Sequence, residues 1–407
     1  MCNVLARPML NLAPYARHAG LSSFSAPATE MAAPPILLSP PHLTGQERAA
    51  IEASLASGWL APAGPTPRAF EQALAEATGF AHVLGVASGT AALTLAFRVL
   101  EIGPGDEVWV PGFTFIASIA PAVQLGARPR FLDICPASWT LDPALLRAEL
   151  AKAAREARLP KAVVAVDIYG QCAALHQIAP VCAEYGVALV SDSAEGLGAT
   201  QAGLPAGRGA LLAAFSFNGN KIITAGGGGA LASDDPGLIA RARVLAHQAK
   251  TPAPHYEHET TGYSFGLPSV LAAVGLAQLP GLVARVARRR AIFQRYGECL
   301  GDLPGISFMP EAPWGRASRW LTVMLLDAEA FGMGPEGLSR VLAMAEIESR
   351  PVWKPLHMQP VFRDAPRAGG VVAEALFGRG LCLPSGSGLA PDGQDRVIRA
   401  IRAAARG

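Results

Sequence analysis

Lysine is scarce in this 407-residue sequence. It occurs five times, at 152, 161, 221, 250 and 354, so 29 of the 34 basic residues are arginine. Acid is also missing locally: no Asp or Glu stands between Glu195 and Asp234, a stretch that contains Lys221. The six cysteines are scattered with no CxxC pair, which argues against structural zinc and a disulfide framework and for thiols kept reduced in the cytoplasm. No block of like charge exists and the net charge is +2, so neither a nucleic-acid partner nor an anionic membrane is implied. Apolar runs such as VVAV and GVALV are of strand length, and none reads as a membrane span.

What is present is a globular composition, 51% hydrophobic, over a chain long enough for two domains. Residues 1–35, rich in Ala, Pro and Ser, are expected to be a disordered tail or an over-called start with Met31 as the initiator. From about residue 44 strand and helix alternate. GTAALTLAFRVLE (89–101) places Leu93, Phe97 and Leu100 on one helical face, and Asp142-Pro143 reads as a helix N-cap and first turn. DEVWVPGFTF (106–115), RPRFLDI (128–134), KAVVAVDIYG (161–170) and GVALVSDSAE (186–195) read as buried strands. The alternation predicts an α/β fold with a mainly parallel sheet covered on both faces, whose ligands sit beyond the carboxyl ends of the strands. A long helix kinked at Pro280-Gly281 is expected to open a smaller α/β domain (268–407) after a large one (36–267).

Four local features carry chemistry, each with a commonplace alternative. ASGTAAL (87–93) is a glycine turn feeding a helix start, suited to a phosphate or serving as an ordinary cap. Asp192 in SDSAEGLGA sits at a strand end, either paired with a protonated ring nitrogen or capping a helix. Phe115 is a stacking ring or a core residue. FSFNGNKIITAGGGG (215–229) holds Ser216 and Lys221. Lys221 is either a surface lysine at a turn or a buried amine that can lose its proton and attack a carbonyl, which arginine cannot do. Phosphate cradle, acid, aromatic ring and amine together describe pyridoxal phosphate (PLP) chemistry.

SGTAAL, VPGFTFIAS, VDIYGQCA, SDSAEGLGA, FSFNGNKIIT, PAPHYEHETTGYSF, IESRPVWKPLHMQPVF and LFGRGLCLPSG, in this order, resemble the DegT/DnrJ/EryC1/StrS family over residues 36–405. These are sugar aminotransferases of PLP fold type I, a mostly parallel sheet between helices with a smaller C-terminal domain. The resemblance is nearest to the branch making UDP-linked 4-amino-4,6-dideoxy-N-acetylhexosamines. It implies PLP as cofactor, L-glutamate and a nucleotide-linked 4-keto sugar as substrates, and a homodimer. By the same resemblance Lys221 carries the cofactor, Asp192 faces the pyridine nitrogen and Phe115 stacks on the ring. Gly89, Thr90 and Ser216 take the phosphate. Glu195 lies near the ring, Asn218 near phosphate or sugar, and His357 near the nucleotide sugar.

Two departures stand out: GYSFG (262–266) replaces the family's usual GYNYR. Ser264 stands for an asparagine that reaches the partner subunit's cofactor phosphate and could donate one hydrogen bond in its place from a shorter side chain. Gly266 cannot replace an arginine, so either substrate preference has shifted or activity is weakened. A 3-dehydratase of the same superfamily would carry histidine at 221. A P-loop is excluded, because Asn220 and Ile222 flank Lys221 where GK[ST] is required. His255 and His258 lack a third ligand, so no metal is expected, and the arginines at 285, 288, 289 and 290 read as a solvated helix face.

Overall fold

Alternate side chains of the buried strands point to opposite faces, and this period of two builds the centre of the molecule. In the computed structural model, which describes residues 34–405, seven five-residue strands form the large sheet. They are β1 (His82–Val86), β2 (Glu107–Pro111), β3 (Arg128–Leu132), β4 (Ala162–Val166), β5 (Ala188–Asp192), β6 (Leu212–Ser216) and β7 (Gly229–Ser233). Their order is β1-β7-β6-β5-β4-β2-β3, and Arg367–Ala368 adds an eighth short strand beside β3. All pairings are parallel except those of β7, which runs antiparallel to both neighbours. Val108 and Val110 enter the core on one face, with Leu93, Phe97 and Ile239 from the helices Gly89–Val99 and Pro236–Ala246. Trp109 enters the other, with Leu146, Leu150 and Ile178 from Pro143–Arg155 and Leu175–Glu184. Each fully buried Leu or Phe contributes about 1.5–3 kcal/mol of transfer free energy, which is why both faces are covered.

Local signals account for several boundaries. Asp142 accepts from Ala144 N and Leu145 N at 2.8 and 3.3 Å, with Pro143 in the first turn. Gly229 sits where a Cβ would lie 2.5 Å from Gly89 N, so β7 can pass against the Ser88–Gly89 backbone.

A second sheet, antiparallel, has β8 (Ile306–Phe308), β9 (Thr322–Leu326) and β10 (Gly380–Leu383), with Arg350–Pro351 at its edge. The expected kinked helix is Ser269–Gln278 and Leu282–Leu300, joined by a 3-10 turn at Leu279–Gly281. By length and composition Ser269–Leu300 could cross a bilayer, which the strand-length reading of the apolar runs overlooked. In the fold its first half packs on the helices Gln46–Ala56 and Pro65–Thr78. The arginine face is also corrected. Arg289 is 1% exposed, donating to the carbonyls of Trp320 and Ser385 and to Ser39 Oγ, and Arg285 is buried against His42 O and Glu47. Spacing alone hid this, because the carbonyls that take these donors come from distant chain segments.

The tail expected at 1–35 falls outside the described residues except for its last two, as does Cys2. From Pro35 onward the chain is one compact unit. Its five described cysteines carry free thiols.

Candidate active site

Because β2, β4, β5 and β6 run parallel, the segments leaving their carboxyl ends emerge on one edge of the sheet. A cavity of about 520 Å³ opens there, and Gly89, Thr90, Phe115, Asp192, Glu195, Ser216, Asn218 and Lys221 all line it. Residues scattered over more than a hundred positions thus share one wall.

The helix Gly89–Val99 begins at the cavity. Ser88 caps it by accepting from Ala91 N at 3.0 Å, while the first-turn N–H groups of Gly89 and Thr90 have no partner within the helix. A Cβ on Gly89 would lie 3.0 Å from Ser216 Cβ, so glycine leaves room where helix start and β6 end converge. Backbone donors, a hydroxyl and the positive end of the helix suit an anion.

Asp192, at the end of β5, is 6% exposed. Ser118 Oγ donates to its Oδ2 at 2.6 Å and Ala194 N to its Oδ1 at 3.1 Å, an Asx-type turn rather than the helix cap considered from sequence. Thr114 Oγ1 and Ser118 Oγ share a further bond of 2.8 Å. Burial raises the Asp192 carboxyl above the ordinary aspartate range, against Ser118, Ala194 N–H and the charge of Lys221.

Lys221 follows the turn closed by its own N–H on Asn218 O. Burial lowers its amine below the ordinary lysine range, and Glu195 then Asp192 act in the opposite direction. The absence of acid in the neighbouring sequence does not carry into space: Nζ lies 3.9 Å from Glu195 Oε1. That is a loose pair. Glu195 Oε2 accepts from Tyr169 N at 2.7 Å, and burial pushes its carboxyl up to about 7 against Lys221 and Tyr169 N–H. Asp167, another cavity residue, is also pushed by burial to about 7, against Ala173 N–H and Ser193.

Phe115 is half exposed in the cavity wall, which removes the core reading, and its ring lies 5.1 Å from that of Trp353. Two of the expected site residues fall outside the cavity. Ser264 is exposed and bridges His247 in an antiparallel pair. His357 is buried, with Nε2 3.0 Å from Glu374 Oε1. A Cβ on Gly266 would meet Pro62 Cβ at 2.5 Å and His247 Nε2 at 3.0 Å, so no arginine fits there in this conformation.

Sequence reasoning missed Ser118, Asp167, Trp320 and Trp353, all of which line the cavity. Ser118, Asp167 and Trp353 sit inside the stretches VPGFTFIAS, VDIYGQCA and IESRPVWKPLHMQPVF, which gave a signal; Trp320, before β9, had none.

A buried amine, a hydrogen-bonded carboxylate and a helix start suited to an anion line one cavity, an arrangement that suits carbonyl–amine chemistry. Residues 41–402 match the DegT/DnrJ/EryC1/StrS aminotransferase family, and the chain belongs to it. It is 46% identical over 370 residues to EpsN of Bacillus subtilis (strain 168), named as a pyridoxal phosphate-dependent aminotransferase, covering 90% of this chain and 95% of that one. It is 34% identical to the GDP-perosamine synthase of Caulobacter vibrioides, over 90% and 98% of the two chains. Among solved structures, the aminotransferase TlmJ of Streptoalloteichus hindustanus superposes with a TM-score of 0.84 at 31% identity, over 91% of this chain and 98% of its own.

Proposed function

We propose that this protein is a PLP-dependent sugar aminotransferase that moves the amino group of L-glutamate to C4 of a nucleotide-linked 4-keto-6-deoxyhexose. The carrying observation is Lys221: an amine kept below its usual pKa by burial, in one cavity with Asp192 and the Gly89–Thr90 helix start. The donor set fits the cofactor at three points. The N–H groups of Gly89 and Thr90 with the Ser216 hydroxyl would hold the phosphate, Asp192 the protonated ring nitrogen, and Lys221 the aldehyde carbon. Bound there, PLP supplies the electron sink through which amine and ketone exchange.

The chain's own groups do the rest. Lys221 Nζ, whose neutral form burial favours, takes a proton from the reacting carbon and returns it later. Glu195 Oε1, 3.9 Å away, stabilises the ammonium between those moments without locking it in a short pair. Ser118 and Ala194 N–H keep Asp192 aimed and ionised. Phe115 would cover the ring, and Asn218 would stand near phosphate or sugar.

The UDP-linked N-acetylhexosamine rests on the resemblance of FSFNGNKIIT and ESRPVWKPLHMQPVF. The 34% identity to a GDP-perosamine synthase supports a GDP-linked sugar as the second reading. The protein works as a cytoplasmic homodimer, its five described thiols reduced, and Ser264, which is exposed, would donate to the cofactor phosphate of the partner copy. His357, buried and held by Glu374, is assigned to the nucleotide-sugar side on the resemblance alone.

Borohydride reduction of PLP-loaded protein, followed by peptide mapping, is expected to place the adduct on Lys221, and Lys221→Ala should carry none. Glutamate-dependent formation of an amino sugar from UDP- or GDP-linked 4-keto sugars then selects the nucleotide. An adduct on another lysine, or none, rejects the assignment.

A further inference from the structure

We propose that Trp320 is a positioning residue for Lys221, its indole face being the platform on which the free side-chain amine rests. Nζ lies 4.0 Å from the ring centroid, within the range where an ammonium is attracted to the negative face of an aromatic ring. The inference rests on reading Lys221 as the proton carrier, and deepens it.

The platform is built from several directions. Trp320 Nε1 donates to Asn220 O at 2.8 Å, so the residue before Lys221 is tied to the ring beneath the amine. Ser39 Oγ donates to the same carbonyl at 2.9 Å. The backbone oxygen of Trp320 accepts from buried Arg289. The ring of Tyr169 lies nearly parallel to it, 6.4 Å and 12° apart, and Trp353 stacks on Tyr169 at 6.3 Å and 6°. Gly170, at φ +91°, lets this segment approach: a Cβ there would lie 2.7 Å from Trp320 N and 2.8 Å from Arg319 N.

A ring face attracts the ammonium and is indifferent to the neutral amine, so Trp320 opposes burial without supplying a carboxylate that would trap the proton. Other groups face the amine as well. Glu195 and Asp192 come from the end of β5, and Asp167 lines the same cavity from the end of β4. Tyr169, the middle ring of the stack, interacts with Cys382, and Arg289 holds the backbone of Trp320. The indole therefore sets where the amine waits and the carboxylates share in setting its charge.

The test measures Lys221 itself, in the full chain without added cofactor. Acylation by a small reagent, followed by peptide mapping, gives the pH midpoint at which Lys221 becomes reactive. Tryptophan is then replaced by mono-, di- and trifluorotryptophan, which weaken the ring face while keeping shape and N–H. The midpoint should fall stepwise, by about 0.5–1 pH unit in total. In Trp320→Phe the same series should leave it fixed. An unchanged midpoint in the wild-type background overturns the proposal. So does an equal response in Trp320→Phe, which would point to Trp353. The readout needs no transamination, so a protein that fails to aminate sugars can still pass, and an active one can still fail.

Discussion

Ser118→Ala removes the hydroxyl that donates to Asp192 Oδ2 at 2.6 Å and leaves Thr114 Oγ1 without its 2.8 Å partner. A hydrogen bond to a charged group contributes about 1.5–3 kcal/mol and favours the ionised form. Its loss moves the Asp192 carboxyl further in the direction burial already sets. A less readily ionised Asp192 holds a protonated pyridine less well, so PLP affinity should drop roughly tenfold to hundredfold at pH 8. The sign with pH follows from Asp192 being raised in the folded state. Its contribution to stability is full below the ordinary aspartate value and is lost as pH rises through the folded value. The cofactor-free variant should therefore match the wild type near pH 4 and be less stable above neutrality. Titration of cofactor-free protein with PLP, followed by absorbance between pH 6 and 8.5, reads the affinity, and urea unfolding reads the stability. Equal affinity at pH 8 in two equally folded proteins would refute the role given to this hydroxyl.

Glu195→Gln tests the second buried acid. Since burial lifts that carboxyl from 4.5 to about 7, the wild type loses stability as pH rises through this window, whereas the amide does not titrate. Urea unfolding at pH 4.5 and 7.5 should show the stability difference between the two proteins moving toward the variant by on the order of 3 kcal/mol; a constant difference counts against a desolvated Glu195. Gly170→Ala places a methyl at φ +91° against the 319–320 backbone. Left-handed strain plus the forced displacement should cost about 2–4 kcal/mol in denaturant unfolding, and a change below about 0.5 kcal/mol would mean the segment simply moves aside.

Much of the fold was legible because its signals are local. The alternation of Val108, Trp109 and Val110 between the two faces, and the Asp142-Pro143 start, are short-range patterns with one physical meaning each. That Lys221, Asp192 and Gly89 share one cavity was legible for a related reason: Asp192 ends β5, Gly89 starts a helix and Lys221 follows β6, on the edge where an α/β sheet gathers its ligands. What sequence could not give was which distant groups share a volume. The acid-free neighbourhood of Lys221 says nothing about distant acids, and Glu195 lies 3.9 Å from it because the ends of β5 and β6 are adjacent. Arg285 and Arg289, spaced like a wet helix face, are buried because the carbonyls of His42, Trp320 and Ser385 converge on them. Trp320 shows the same limit, reaching Lys221 across the sequence through the gap that Gly170 leaves. Periodicity and turn chemistry are short-range and are written in neighbouring residues, whereas desolvation and charge pairing depend on three-dimensional proximity, which only the packed chain decides.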